Sequence, residues 1–210
     1  MKHFVFLLGR PGCGKSVVYK IIKEALEKKG IAAPRVDDFL TLKAILDKDT
    51  QFKRHVLKDG GFAVTDFSVV DEALKDLCSL VVKDRADKKI IFIEFARDNY
   101  KHAFENFTKE MLDDSLILYL YSTFEECYRR NVARFEKVKK DGHDDHIVPL
   151  DLMKTYYRTD DYEQAYLKSE KELMKIVAAK TVVLDSTLSG EAGIENLRKQ
   201  IKEGVINELS

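Results

Sequence analysis

The sequence predicts an α/β protein, a mainly parallel sheet with helices on both faces, and three observations carry the prediction. Apolar runs of strand length alternate with longer stretches of helical periodicity along the chain, which is the pattern of repeated β-α units. Two of those runs, Ile90-Ile91-Phe92-Ile93 and residues 116–121, are continuous rather than alternating, as in strands covered on both sides. The first strand leads into Gly9-Arg10-Pro11-Gly12-Cys13-Gly14-Lys15-Ser16, which fits G-x-x-x-x-G-K-[ST] without a gap and opens a helix.

The elements follow in order. Residues 4–8 form the first strand. Val17, Val18, Ile21, Ile22, Ala25 and Leu26 give a helix over 16–29, which stops at Gly30 because glycine accepts the left-handed conformation of a helix end. A short strand over 32–36 delivers Asp37 and Asp38, and residues 39–61 read as a broken helical pattern ending in the Gly60-Gly61 turn. Val70, Ala73, Leu74, Leu77 and Val81 share one face of a helix over 68–85. The strand at 90–93 ends on Glu94, and Phe104, Phe107 and Met111 mark a helix over 99–112. After the strand at 116–121, Thr123-x-x-Glu126 is a capping box for a helix that carries Arg129, Arg130 and Arg134. Between 136 and 149 Lys, Asp, His and a glycine replace apolar residues, as in a solvated loop or a mobile lid. Helices over 150–157 and 161–178, a strand over 181–184 and a helix over 190–209 complete the chain. The expectation is one domain over 1–210, with an acceptor-binding region at about 38–68 and a lid at about 135–159.

Composition narrows the function classes. Hydrophobic residues make up 45% of the 210 and charged residues 34%, an ordinary globular balance. Thirty-six basic against 36 acidic side chains give zero formal charge, which argues against coating a nucleic acid. The three cysteines, at 13, 78 and 127, lack zinc spacing, so reduced thiols in a cytoplasmic protein are expected. The N-terminus leads into a strand without a signal-peptide pattern, and no apolar run is long enough to span a bilayer. A monomer or homodimer that meets a small-molecule partner is the expectation.

The glycine-rich loop carries the chemistry. Its glycines let backbone N–H groups turn inward around a phosphate, and the helix N-terminus adds unpaired donors and partial positive charge. Gly9, Arg10, Pro11, Gly12, Cys13, Gly14, Lys15, Ser16 and Val17 are therefore the expected nucleotide-binding run. Lys15 would reach the terminal phosphates, and the Ser16 hydroxyl would ligate Mg²⁺. Ligands of open parallel sheets bind beyond the carboxyl ends of the strands, which gathers Asp37, Asp38 and Glu94 at the loop. Asp37 or Asp38 would take the proton of an acceptor hydroxyl; the alternative is that they cap the next helix. Glu94 would join the Mg²⁺ shell or orient the acceptor, or else form a structural pair with Arg97. Arg130 and Arg134, at i and i+4, share a helix face and would neutralise a transferring phosphoryl group, unless they pair with Glu126 or Glu136. Arg158 would close onto the same phosphates. Arg54 and Arg97 are candidate clamps for an acidic acceptor, and Phe39, Phe52, Phe62, Phe67 and Tyr100 include candidates for stacking on a ring. His143-Asp144-Asp145-His146 reads as a solvated lid tip rather than a metal cluster.

The loop at 9–16, the carboxylates after the second strand, the arginine pair and the charged segment after it together resemble the nucleoside-monophosphate-kinase-like branch of P-loop kinases, which includes adenylate and shikimate kinases. The resemblance implies a three-layer sandwich on a five-stranded parallel sheet of order 2-3-1-4-5, a P-loop NTPase fold with a small lid. It also implies lid arginines after the fourth strand, where Arg130 and Arg134 stand. Asp37-Asp38 is similar to the aspartate that acts as base in kinases of hydroxyl acceptors. ATP and Mg²⁺ are the implied cofactors, and the implied activity is γ-phosphoryl transfer to a nucleoside, nucleotide or other hydroxyl metabolite. The alternatives are a monophosphate kinase with Arg54 or Arg97 on the acceptor phosphate, and a regulatory nucleotide-hydrolysing switch or ATPase acting on a protein partner.

Overall fold

The computed structural model describes residues 2–58, 61–141, 148–173 and 175–209. Gly60, the His143–His146 tetrad and the middle of the expected lid lie outside the described residues. The central strand is β1 (Phe4–Leu8), every residue of which is buried. Its neighbours are β5 (Ile91–Glu94) and β6 (Ser115–Tyr121), both parallel to it, with β2 (Arg35–Asp37) and β7 (Lys180–Asp185) at the edges. The sheet order is β2-β5-β1-β6-β7. Counted through the sheet's own strands in chain order it is 2-3-1-4-5, the expected arrangement.

The period of two along a strand divides the core into two layers. Phe4, Phe6 and Leu8 face one side, with Ile91, Ile93, Ile117 and Tyr119. There they meet α3 (Ser68–Lys83), α4 (Tyr100–Phe104), α5 (Lys109–Asp113) and α8 (Asp161–Lys168) through Leu74, Phe104, Met111 and Tyr162. Val5 and Leu7 face the other side, with Phe92, Leu116 and Leu118. That side is covered by α1 (Lys15–Glu27) and α10 (Gly190–Gly204) through Val18, Ile22, Leu26, Leu197 and Ile201. Both faces being covered explains the continuous apolar runs. Gly30, at φ +72°, ends α1 as expected, with its N–H on Glu27 O and the Ile31 N–H on Leu26 O.

Several expected elements are shorter or different. Residues 39–61 hold only one helix, α2 (Phe39–Leu46), after which β3 (His55–Lys58) pairs antiparallel with β4 (Gly61–Val64). The Asp-Gly dipeptide at 59–60 between two short β-prone runs is the sequence signal for this pairing. The helix expected over 99–112 is two, because Asn99 caps one by accepting from His102 N (3.0 Å) and Thr108 starts another by accepting from Met111 N (3.2 Å). The break lets Phe107 turn under the sheet, 4.8 Å from the Phe6 ring in an edge-on contact. Ser169, in extended conformation, likewise separates α8 from α9 (Glu170–Leu173). The helix after β6, α6, spans Phe124–Asp141, and α7 spans Leu150–Lys154. Cys13, Cys78 and Cys127 are buried free thiols. Among the described residues no helix is long and apolar enough to cross a membrane.

Candidate active site

The loop between β1 and α1 is shaped by three left-handed glycines, Gly9 (φ +127°), Gly12 (φ +84°) and Gly14 (φ +97°). Two of them also have no room for a side chain. A Cβ on Gly9 would lie 2.6 Å from Leu120 O, and one on Gly12 would collide with Cys127 O. Gly14 begins α1, its carbonyl accepting from Val17 N (2.9 Å) and Val18 N (3.2 Å). Lys15 is only 8% exposed and folds over the loop, with Nζ donating to Gly9 O (2.6 Å) and Arg10 O (3.2 Å). That posture holds an ammonium group at the mouth of the loop, next to the helix N-terminus.

Side chains from α4, α6, α8 and the turn after β7 fix the loop. Gly9 N donates to the buried Tyr100 hydroxyl (3.0 Å). Arg130 Nη1 reaches Gly12 O (3.4 Å), and Ser186 Oγ donates to Cys13 O (2.6 Å). Arg10 turns its guanidinium inward, 4% exposed, onto the Glu163 carboxylate and the carbonyls of Ser122 (3.1 Å) and Arg158 (3.2 Å). Burial works against the Arg10 charge, but the Glu163 hydrogen bonds and attraction outweigh it and hold the guanidinium above its usual range. Beside it Asp160 accepts from Tyr119 OH (3.0 Å) and Glu163 N (2.7 Å). Burial raises the Asp160 carboxyl to about 7, against the backbone bond and Arg10. Tyr100, named from sequence as a ring-stacking candidate, is instead a loop support. The roles of Arg10 and Glu163 were not legible, because nothing in a loop motif says which way its variable side chain turns.

The carboxylates meet at the ends of β2 and β5, where Asp37 stands in register with Glu94. Glu94 does not pair with Arg97. It faces Lys15 Nζ (3.9 Å) through one oxygen and Arg35 Nη1 (3.2 Å) through the other. The same Arg35 nitrogen lies 3.1 Å from Ser16 Oγ. Arg97 pairs with Asp38 instead, 10% exposed, where burial opposes its charge and Asp38 more than restores it. Asp37 Oδ1 accepts from Phe39 N (3.2 Å), so it closes the turn into α2 while remaining at the strand end. Arg35 was missed because an arginine on a short edge strand has no distinguishing pattern.

The remaining arginines separate. Arg130 is committed: it pairs with Glu126 and donates to Ser186 O (2.8 Å), Leu188 O (3.2 Å) and Ser189 Oγ (3.1 Å), so it ties the turn after β7 to Gly12. Hydrogen bonds from Arg129, then Ser189, hold the Glu126 carboxyl down at about 2. The capping box is half formed, since Thr123 Oγ1 accepts from Glu126 N (3.3 Å) while the Glu126 carboxylate serves these arginines. Arg134, one turn on, is exposed, and its side chain makes no hydrogen bond or ion pair to another described residue. Arg158 lies over the Phe124 ring (4.0 Å) with Glu125 at 4.0 Å. Arg54 is far from free: Asp66, Glu72 and Ser68 all accept from it. Phe39 stacks on Phe62 (5.9 Å) and Phe67 on Tyr156 (5.8 Å), while Phe52 is half exposed against His55. A cavity of about 480 Å³ opens beside Tyr156, lined by Asn99, Lys101, Thr155, Thr159 and Gln164 among others, and the phosphate loop takes no part in it.

The sequence matches no family model and no curated protein. Solved structures do resemble it. The Mycobacterium tuberculosis APS kinase CysC, in complex with AMPPNP and APS, superposes over 96% of this chain and 99% of its own with a TM-score of 0.54 at 14% identity. Chaetomium thermophilum Kti12, in complex with ADP-AlF3, covers 96% of this chain and 98% of its own with a TM-score of 0.53, also at 14% identity. With the glycine loop at the carboxyl end of the central strand and the sheet order 2-3-1-4-5, the chain has the P-loop fold of these two structures.

Proposed function

We propose that this protein is an ATP- and Mg²⁺-dependent kinase that transfers the γ-phosphoryl group to a hydroxyl of a small-molecule acceptor. The observation that carries the reading is the meeting of Lys15 and Ser16 with Glu94 and Asp37 at one sheet edge. The loop amides and Lys15 would hold the triphosphate, with Lys15 exchanging its two loop carbonyls for phosphate oxygens. Ser16 Oγ and the Glu94 carboxylate converge on a single cationic nitrogen, and hard oxygen donors converging on one cation are what Mg²⁺ takes. Among the described residues no group of three or more His, Cys, Asp or Glu forms a metal site of its own, so the ion would come with the nucleotide. When bound it would neutralise charge developing on the phosphoryl oxygens.

Asp37 is the proposed base, beside Glu94 and with one carboxylate oxygen left for the acceptor, while the Asp38–Arg97 pair would orient the acceptor. Arg130 would act by fixing the loop, since its donors are taken. Arg134 and Arg158 would close over the phosphates from the lid. The pairing of Arg54 and Arg97 with carboxylates favours a hydroxyl acceptor over a monophosphate, which would have to break those pairs to be clamped. The AMPPNP in the APS kinase complex and the ADP-AlF3 in the Kti12 complex support nucleotide binding by this chain.

The test is ATP consumption with pooled nucleosides, nucleotides, sugars and other hydroxyl metabolites, repeated with Asp37→Asn and Asp38→Asn. Turnover should require an acceptor, and Asp37→Asn should lower kcat about 10²–10⁴-fold with nucleotide binding kept. Full activity in both variants defeats the hydroxyl-acceptor mechanism. A second reading, a nucleotide-hydrolysing switch acting on a protein partner, is favoured by the exposed Leu40, Phe52, Val56 and Leu57 around α2 and the β3–β4 pair. Hydrolysis without an acceptor, stimulated by a protein, would select it.

A further inference from the structure

Arg35 is the cation of the site that the mechanism above leaves unused. It stands on edge strand β2, two residues before Asp37 and 33% exposed at its side chain. Its Nη1 contacts both Ser16 Oγ (3.1 Å) and Glu94 Oε2 (3.2 Å), the two oxygens offered to Mg²⁺. The contact is built rather than incidental. The Arg35 guanidinium lies 4.9 Å over the Tyr19 ring, and the Tyr19 hydroxyl donates to Ala33 O (2.8 Å), fixing that ring to the chain just before Arg35. Lys15 faces the other oxygen of the same carboxylate, so Glu94 sits between two cations.

A guanidinium and a divalent ion cannot use the same pair of oxygens at once. We propose that Arg35 competes with Mg²⁺ for Ser16 and Glu94 and supplies positive charge to a nucleotide bound without the metal. The inference rests on the nucleotide-binding reading above. It has two consequences. Arg35 keeps Ser16 and Glu94 aligned and charge-balanced, and entry of the Mg²⁺–nucleotide complex displaces the guanidinium toward Asp37 and the acceptor side. Nucleotide affinity is then only weakly coupled to the metal, because one cation replaces the other.

The experiment is a titration of purified protein with fluorescent ADP, in excess Mg²⁺ and again in EDTA, for the wild type, Arg35→Met and Arg35→Lys. Methionine keeps an apolar stem against Tyr19 without the charge. Removing Mg²⁺ should weaken ADP less than about tenfold in the wild type. In Arg35→Met the loss should grow by a further factor of about ten, as for one charge-assisted contact, with Arg35→Lys in between. If Arg35→Met weakens ADP equally in both conditions, or leaves both unchanged, the competition is refuted. If the wild type binds ADP in neither condition, the nucleotide reading itself fails. A melting curve accompanies each variant, and if Arg35→Met does not fold, the uncharged Arg35→Gln takes its place with the same expected and refuting outcomes.

Discussion

The two sides of the site are built differently. The phosphate loop is held from four directions by Tyr100, Arg10 with Glu163, Arg130 and Ser186, all through buried or half-buried hydrogen bonds. The proposed acceptor side is α2 with the β3–β4 pair, which forms a separate two-stranded sheet, and α2 leans on α3. Its charge network around Arg54 is largely exposed, and Leu57 is 71% exposed. Buried networks are rigid because every broken bond leaves an unpaired polar group, whereas exposed ones are remade with water at little cost. The loop is thus pre-set, whereas the region proposed to meet the acceptor is held by bonds that water can replace.

Three measurements would sharpen or break that contrast. Glu163→Gln leaves the Arg10 guanidinium buried without its counter-charge, and denaturant titration should show a loss of about 3–5 kcal/mol, with weaker nucleotide binding. A loss no larger than that of a surface substitution would mean the loop does not depend on this strut. Asp160 comes next. Its carboxyl is raised to about 7 in the folded protein from an ordinary value of 3.8, so the folded state binds the proton more tightly than the unfolded chain. The stabilisation is complete below about pH 4 and declines as pH rises toward 7, by at most about 1.4 kcal/mol per pH unit. Asp160→Asn should flatten that decline in melts taken between pH 4 and 8, and an unchanged profile would show that Asp160 is already ionised. The smallest effect is expected on the other side: Leu57→Ser should move stability by less than about 0.5 kcal/mol. A large loss there would show that the hairpin is as firmly packed as the loop.

Much of the fold was legible in the sequence because burial on both faces leaves an unbroken apolar run, as at residues 90–93 and 116–121, and because Gly9, Gly12 and Gly14 stand where the backbone is left-handed. The β3–β4 pair was not, since residues 55–64 have apolar side chains at spacings a helix also permits and the Asp-Gly signal is two residues long. The split of 99–112 turned on two caps, Asn99 and Thr108, inside a stretch whose phenylalanines keep helical spacing. In the site, the loop and the strand-end carboxylates could be named from their place beyond the strands. The partners could not. Arg97 meets Asp38 rather than Glu94, and Arg10 meets Glu163, 153 residues on. Such pairings depend on side-chain direction across the fold, which no local pattern encodes.

The three thiols carry a practical consequence. Cys13, Cys78 and Cys127 are all enclosed, and burial pushes the Cys127 thiol up to about 12 and that of Cys13 above its ordinary value, so those two carry little thiolate at neutral pH. Maleimide dyes should pass over the native protein, and one cysteine introduced at Leu57 with another at an exposed position such as Lys199 would be selective attachment points. Fluorescence energy transfer between them would then report whether the β3–β4 pair moves, without first stripping the chain of its own sulfur.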